Sequence, residues 1–203
     1  ANRRSIMTLY GAPSDPLGHS VRLVLKEKDI NVDVQFVTEE TKPQDLNDLN
    51  PYGGLLTLID RELVIYDAQI MIEYLDERYP HPPLMPVDPV ARAGNRQLRQ
   101  RIVRDLYTLT EIIGGDNEIA AANARKEMKD NFLALAPVFS QFPYFLSEEI
   151  SLVDLFFAPL MWRIPFYGIK LGAGAKPLMK YGESLFEREA FQNSLSPTEI
   201  EMR

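Results

Sequence analysis

The residues best equipped for acid–base chemistry lie between the first predicted strand and the first predicted helix. They are Tyr10, Ser14, Asp15, His19 and Ser20. The hydroxyl groups could donate a hydrogen bond to a reacting atom, and the imidazole could accept a proton. Because such residues at strand ends, in loops and at helix starts more commonly stabilise the local backbone, we expect structural roles for them. The chain contains no cysteine, which excludes a mechanism that uses a thiol of the protein itself.

A proline-rich segment in the middle of the chain is the second feature with chemical content. Residues 79–89 read Tyr-Pro-His-Pro-Pro-Leu-Met-Pro-Val-Asp-Pro. Each proline fixes φ and removes a backbone donor, so the segment must hold an extended shape that loses little entropy when a partner docks on it. The predicted partner-binding residues are Tyr79, Pro80, His81, Pro82, Pro83 and Leu84. The alternative is a stiff connector that packs against its own domains.

The chain before this segment alternates strand and helix signals. Residues 6–10 and 32–36 are typical of strands, and the second alternates so that one of its faces should be buried. A helix is predicted from about residue 20 to 28, and a short helix from Pro43 to Leu49. Residues 56–59 and 63–66 predict a tight hairpin, after which Asp67 begins a helix. This order of elements is that of a thioredoxin-like domain.

Beyond the proline-rich segment every predicted element is helical. One helix runs through Leu98 and Ile113 to a stop at Gly114, a second covers residues 123–135, and residues 176–191 contain a last main helix. Ser151 and Asp154 match a helix-capping pattern, so we assign Asp154 to folding and not to catalysis. Residues 196–199 predict the start of a short terminal helix. The predicted domains are a thioredoxin-like domain at residues 1–80, a proline-rich linker at 81–89 and an α-helical domain at 90–203.

Composition and charge narrow the classes of function. The net charge of −7 disfavours binding to duplex DNA, because proteins bind DNA largely by neutralising its phosphates with lysine and arginine. We therefore expect no direct specific DNA binding. Arginines concentrate between Arg92 and Arg104, where we expect them to pair with acids. The longest apolar stretch, residues 155–162, is too short to span a bilayer and contains Pro159. We expect a cytoplasmic protein without membrane contact, metal or cofactor.

Three motifs in the first domain resemble those of the glutathione transferase superfamily. They are Asp-Pro-Leu-Gly-His-Ser-Val-Arg at residues 15–22, Asn-Pro at 50–51 ahead of the hairpin, and Tyr-Asp at 66–67 before a helix that ends Glu-Tyr-Leu-Asp-Glu-Arg at 73–78. Within that superfamily, residues 72–87 and the following Pro-Val-Ala-Arg at 89–92 are similar to the stringent starvation protein A family of bacteria. The resemblance implies an α/β plus all-α, glutathione transferase-like fold and a homodimer. It also implies association with RNA polymerase holoenzyme and control of transcription under starvation or stress.

The resemblance further identifies three places where a glutathione transferase would hold its substrate. Asp15 occupies the thiolate-activating position, yet two like charges about 4 Å apart repel by about 4 kcal/mol at an effective dielectric of about 20 and raise the pKa of a thiol. Leu56 replaces a proline with a cis bond; we expect a trans bond, because a non-proline cis bond costs about 2.5 to 4 kcal/mol. Asp67 and Ala68 replace an acid–serine pair, so the hydroxyl for the γ-glutamyl carboxylate is missing. These four residues predict a vestigial glutathione site with no catalytic residue.

The leading hypothesis is therefore a non-enzymatic transcription regulator that binds RNA polymerase through the proline-rich segment. The competing hypothesis is a glutathione-dependent transferase or peroxidase that uses a hydroxyl of Tyr10 or Ser14. A third is a dimer whose pocket senses a small anion or nucleotide while its outer face binds protein. Residues 1–85 hold 8 Lys plus Arg against 14 Asp plus Glu, which disfavours an anion in that domain.

Overall fold

The computed structural model describes residues 6 to 203, and its first half is built on a four-stranded sheet. The strands are β1 (Met7–Gly11), β2 (Val32–Phe36), β3 (Thr57–Asp60) and β4 (Leu63–Ile65). Their order in the sheet is β2-β1-β3-β4, with β1 parallel to β2 and antiparallel to β3, and β3 antiparallel to β4. Val32 and Val34 are only half-buried, because β2 is an edge strand.

Three helices connect and cover this sheet. They are α1 (Pro16–Glu27), α2 (Leu46–Leu49) and α3 (Ala68–Arg78). The thioredoxin-like prediction is confirmed, but α2 begins three residues later than predicted. Pro43 instead starts a turn in which its carbonyl accepts a hydrogen bond from the backbone N–H of Leu46 at 3.1 Å. The buried Leu46 side chain then anchors the short helix.

The second half is helical, as predicted. Its helices are α4 (Pro89–Ile102), α5 (Thr108–Ile113), α6 (Glu118–Leu135), α7 (Leu152–Trp162), α8 (Lys176–Phe186), α9 (Glu189–Ser194) and α10 (Pro197–Ile200). A π-helical turn, Val103–Tyr107, joins α4 to α5. The main helix predicted within residues 176–191 is α8, and Arg188, which has an extended backbone, separates it from α9. Its guanidinium contacts Glu27 of α1 at 2.7 and 3.0 Å and ties this corner to the first domain.

One hydrophobic core extends through both halves. Helix α7 lies at its centre, with every residue from Leu152 to Trp162 buried. Helix α1 packs against α3 of the first half and against α7 and α9 of the second. Among residues 6–203, no helix has the length and apolarity needed to cross a membrane.

Candidate functional site

The proline-rich segment connects α3 to α4 and is exposed over its first half. Pro80, His81, Pro82 and Pro83 are exposed and Tyr79 is half-buried; the His81–Pro82 bond is cis. Leu84 is only 2 % exposed and belongs to the core. Its carbonyl accepts a hydrogen bond from the backbone N–H of Leu152, the first residue of α7, at 2.8 Å. The prediction that Leu84 contacts a partner is therefore wrong. Burial of its apolar side chain stabilises this protein itself and leaves no surface for a partner.

A buried lysine holds this segment from the inside. Nζ of Lys28 donates to Oδ1 of Asp76 at 2.8 Å, to the carbonyl of Tyr79 at 2.6 Å and to the carbonyl of Pro82. The same carboxylate oxygen accepts the backbone N–H of Leu84 at 2.9 Å. All three donors of the ammonium group are therefore used. This role of Lys28 could not be predicted from the sequence, since lysine is rarely buried and nothing in the local pattern marks an exception.

The residues predicted as a vestigial glutathione site line a single cleft of about 880 Å³ between the sheet and the α4–α5 region. Asp15, Leu56, Asp67 and Ala68 all contribute to its wall. Other lining residues are Glu111, Arg163 and the aromatic residues Tyr52, Tyr66, Tyr107, Phe166 and Tyr167. The fold thus brings together residues from five separate segments of the chain.

Asp15 caps α1 at the floor of this cleft. Its Oδ1 accepts the backbone N–H of Leu17 at 3.0 Å, which satisfies one free amide of the helix start. Burial raises the pKa of Asp15, while backbone N–H groups of Leu17 and Gly18 and the charge of Arg163 act in the opposite direction. A carboxylate in this place disfavours a neighbouring thiolate.

Leu56 and Asp67 occupy the positions expected for them. Within the described chain the cis bond at His81–Pro82 has no counterpart elsewhere, so the bond before Leu56 is trans, as predicted. Oδ1 of Asp67 accepts the backbone N–H groups of Gln69 and Ile70 at 2.9 and 3.1 Å, and so caps α3. The next residue, Ala68, has no hydroxyl to offer a carboxylate.

The hydroxyl groups named as catalytic alternatives are placed differently from each other. Tyr10 is half-buried in β1, opposite Gln35 and Thr57, and does not line the cleft. Ser14 is exposed and lines the cleft. The hydroxyl of Ser20 donates to the carbonyl of Leu17 at 2.6 Å, which is the structural role expected for it.

A buried charge cluster next to the cleft joins the two domains. Glu199 of α10 accepts two hydrogen bonds from Arg22 of α1, at 2.7 and 2.9 Å, and a third from Arg163. Burial raises the pKa of Glu199, but hydrogen bonding by Arg22 and the charges of His19, Arg22 and Arg163 outweigh this effect. Together they lower the pKa to about 2. From the sequence, Glu199 is placed only at the start of a short terminal helix; in the structure it also caps α10, because its carboxylate accepts the backbone N–H of Ser196.

His19 belongs to the same cluster. It is fully buried, with Nε2 3.0 Å from Oγ of Ser194 and Nδ1 2.9 Å from Arg163. Burial lowers its pKa; the charge of Glu199 opposes this effect and the two arginines reinforce it. His19 therefore bonds to Ser194 at the end of α9 and to Arg163, a structural role as expected, and its ring has no contact with solvent.

Asp154 has the folding role assigned to it. Its Oδ2 accepts the backbone N–H of Ser151 at 2.8 Å, and its Oδ1 accepts the N–H of Phe145 at 2.9 Å and the hydroxyl of Tyr181. The capping box predicted for α7 is confirmed. The buried carboxylate thereby joins α7 to α8 and to the preceding loop.

Comparison with known proteins assigns both halves of the chain. Residues 9–83 match the family model "Glutathione S-transferase, N-terminal domain", and residues 93–189 match "Glutathione S-transferase, C-terminal domain". Among solved structures, a rice glutathione transferase in complex with glutathione superposes with a TM-score of 0.84 at 19% identity, covering 98% of this chain and 96% of that one. A glutathione S-transferase from the Antarctic clam Laternula elliptica superposes with a TM-score of 0.80 at 22% identity, covering 97% and 95%.

Relatives with higher sequence identity carry a different name. The "Stringent starvation protein A homolog" of Pasteurella multocida (strain Pm70) is 47% identical over 196 residues, which cover 96% of this chain and 92% of that protein. The homolog of Coxiella burnetii is 45% identical over 202 residues, covering 99% and 97%. By comparison, glutathione S-transferase Z2 of Arabidopsis thaliana is 28% identical over 205 residues. The chain thus has the two-domain fold of the glutathione transferases and belongs to the stringent starvation protein A family.

Proposed function

We propose that this protein is a non-enzymatic transcription regulator that binds RNA polymerase holoenzyme under starvation or stress, and that the exposed surface of residues 79–83 makes the contact. The observation that carries the proposal is the clamp formed by Lys28. It holds two backbone carbonyls of the segment from inside the protein and leaves the opposite face free.

This arrangement is well suited to binding another protein. A segment that is already ordered loses little conformational entropy on association, so more of the contact energy appears as affinity. Pro80, Pro82 and Pro83 offer apolar surface, and His81 adds a polar ring. Val87, just before α4, and Val90, in its first turn, are also exposed, with 91 % and 80 % of their area accessible.

We propose further that the cleft does not catalyse glutathione chemistry. A carboxylate stands where a thiol must be activated, the bond at Leu56 is trans, and Ala68 lacks a hydroxyl. Binding to polymerase places the protein in the cytoplasm. We also propose that it acts as a homodimer, without direct specific DNA contact, in keeping with its acidic charge.

The polymerase contact is tested by the double substitution His81→Ala and Pro83→Ala. Both side chains are exposed, so the melting temperature should stay within about 2 °C of wild type, as expected for surface substitutions. Copurification of polymerase from a bacterial lysate should be lost. A matched control changes the exposed Pro137 and Gln141, on the turn after α6, to alanine and should retain polymerase. Undiminished copurification by the His81/Pro83 variant would place the contact elsewhere.

The absence of catalysis is tested separately by calorimetry with millimolar glutathione and by turnover of a model electrophile. We expect neither saturable binding nor turnover. Turnover that disappears in Ser14→Ala would instead support a transferase that uses the hydroxyl at the cleft.

A further inference from the structure

A groove apart from the cleft lies between the loop that follows α6 and the start of α8. Its volume is about 730 Å³. Four aromatic residues, two prolines, two lysines and three uncharged polar residues line it. Among the described residues that form its lining, none is acidic. The groove is therefore locally basic on a chain whose net charge is −7.

The floor of this groove is already formed. The rings of Phe139 and Tyr181 stack with their centroids 4.1 Å apart, and the hydroxyl of Tyr181 donates a hydrogen bond to Asp154. The carboxylate of Asp154 is fully buried and also accepts the backbone N–H groups of Ser151 and Phe145. A ligand in the groove would therefore meet the two rings and not this carboxylate. A surface that is formed in advance costs little entropy on binding.

The two lysines lie on one face of α8. Lys176 is the first residue of the helix and Lys180 follows one turn later, so their Cα atoms are about 6 Å apart along the axis. Both side chains are exposed, and within residues 6–203 the lysines in ion pairs are Lys28 and Lys42 instead. The positive end of the helix dipole and the like charge four residues away both disfavour lysine at this place. No contact in the described chain offsets this cost, which indicates an acidic partner.

We propose that this groove binds an extended acidic segment of a partner protein other than the polymerase. Two acids of the segment pair with Lys176 and Lys180, and an apolar side chain beside them packs against Phe142 and Pro177, which are half-buried. In an extended chain, residues i and i+2 lie on the same side about 7 Å apart, close to the spacing of the two lysines. The geometry therefore predicts two acids separated by one residue, with an apolar residue between or beside them.

A nucleic acid fits this groove less well than a peptide. It carries a negative charge on every nucleotide, and the net charge of the protein is itself negative. The groove shares no lining residue with the segment 79–83 or with the cleft, so this proposal and the polymerase contact can fail separately. Gln141, which is changed in the control variant for polymerase, lines the groove. That variant should retain polymerase because the partner proposed here is a different protein.

The test begins with selection from a displayed library of random peptides of about seven residues, which span about 23 Å when extended. We expect the full chain to select sequences with two acids at the stated spacing next to an apolar residue. Fluorescence polarisation with a labelled synthetic peptide of the selected sequence then measures affinity. Raising NaCl from about 0.05 to about 0.5 M should weaken binding severalfold, because salt screens exposed charges.

Paired substitutions locate the contact. Lys176→Gln with Lys180→Gln should weaken binding about fivefold, as expected for the loss of two exposed ion pairs. The matched control, Lys26→Gln with Lys126→Gln, removes the same charge from exposed positions of α1 and α6 and should bind within twofold of wild type. All four lysines are exposed, so both variants should fold normally. Phe142→Ala should bind severalfold more weakly with the salt dependence retained.

Three results would overturn the proposal. The first is a selection that enriches no sequence, or only sequences without acids. The second is an equal loss of affinity in the two double lysine variants, which would indicate a response to net charge and not to this groove. The third is displacement of the bound peptide by oligothymidine at equal concentration, which would assign the groove to nucleic acid.

Discussion

Replacing Lys28 with methionine should release the proline-rich segment without altering any exposed side chain. Methionine has a similar length and is compatible with a helix end, but it cannot donate to the carboxylate of Asp76 or to the carbonyls of Tyr79 and Pro82. The substitution therefore separates the shape of the segment from its surface chemistry.

The magnitude follows from the contacts that are lost. Removing one member of a buried ion pair costs about 3 to 5 kcal/mol, and the lower end applies here because the freed carbonyls can turn to water. At about 2 to 4 °C per kcal/mol for a chain of this length, the melting temperature should fall by about 6 to 12 °C. For binding, Tyr79 and His81 regain backbone freedom worth about 1 kcal/mol each, since prolines supply the rest of the segment. About 2 kcal/mol corresponds to a loss of affinity of roughly thirtyfold.

The assay combines urea unfolding with polymerase retention at 25 °C. Lys26→Met, two residues earlier on an exposed face of α1, is the matched control and should behave as wild type. Adding Asp76→Asn to Lys28→Met removes the uncompensated charge but keeps an oxygen that can accept the backbone N–H of Leu84, and should restore part of the stability but not the binding. If Lys28→Met melts early and still retains polymerase at the wild-type level, the order of this segment does not determine the contact.

Two further predictions concern the charge cluster between the domains. Glu199→Gln leaves two buried arginines without a counterion and should cost about 3 to 5 kcal/mol in urea unfolding, whereas Glu183→Gln, which breaks a surface pair with Arg203, should cost at most about 1 kcal/mol. Equal effects of the two substitutions would show that Glu199 does not hold the domains together. The pKa of His19 is lower in the folded protein than in the unfolded protein, where it has its ordinary value of about 6.5. Below that pH the unfolded state therefore binds more protons than the folded state. The free energy of unfolding should fall by about 1.4 kcal/mol from pH 7.5 to 5.5. Comparison of urea unfolding at the two pH values tests this, and His19→Asn should lose the dependence; Glu199, with a pKa of about 2, does not titrate in this range.

The sequence by itself determined the order of the elements and the places where helices begin. Alternation and turn residues identified the hairpin, and side chains that satisfy free amides marked the starts of helices at Asp67, Ser151 and Ser196. Helix α1 begins earlier than predicted, at Pro16, because Asp15 caps it. These signals act over a few residues, so they can be recognised along the chain. The four positions predicted as a vestigial glutathione site were located from motifs that resemble those of the glutathione transferase superfamily, and the fold places all four along one cleft.

Only the tertiary structure decided which side chains became buried and which charges met. Arg22 and Glu199 are 177 positions apart, and Lys28 reaches the carbonyl of Pro82 across 54 positions. Such pairs leave no periodic pattern, because their energy depends on distance and desolvation in the folded protein. The burial of Leu84 could not be predicted from the sequence either. It follows an exposed run of prolines along the chain, yet it packs beside α7 in the core, where burial of its apolar surface is favourable.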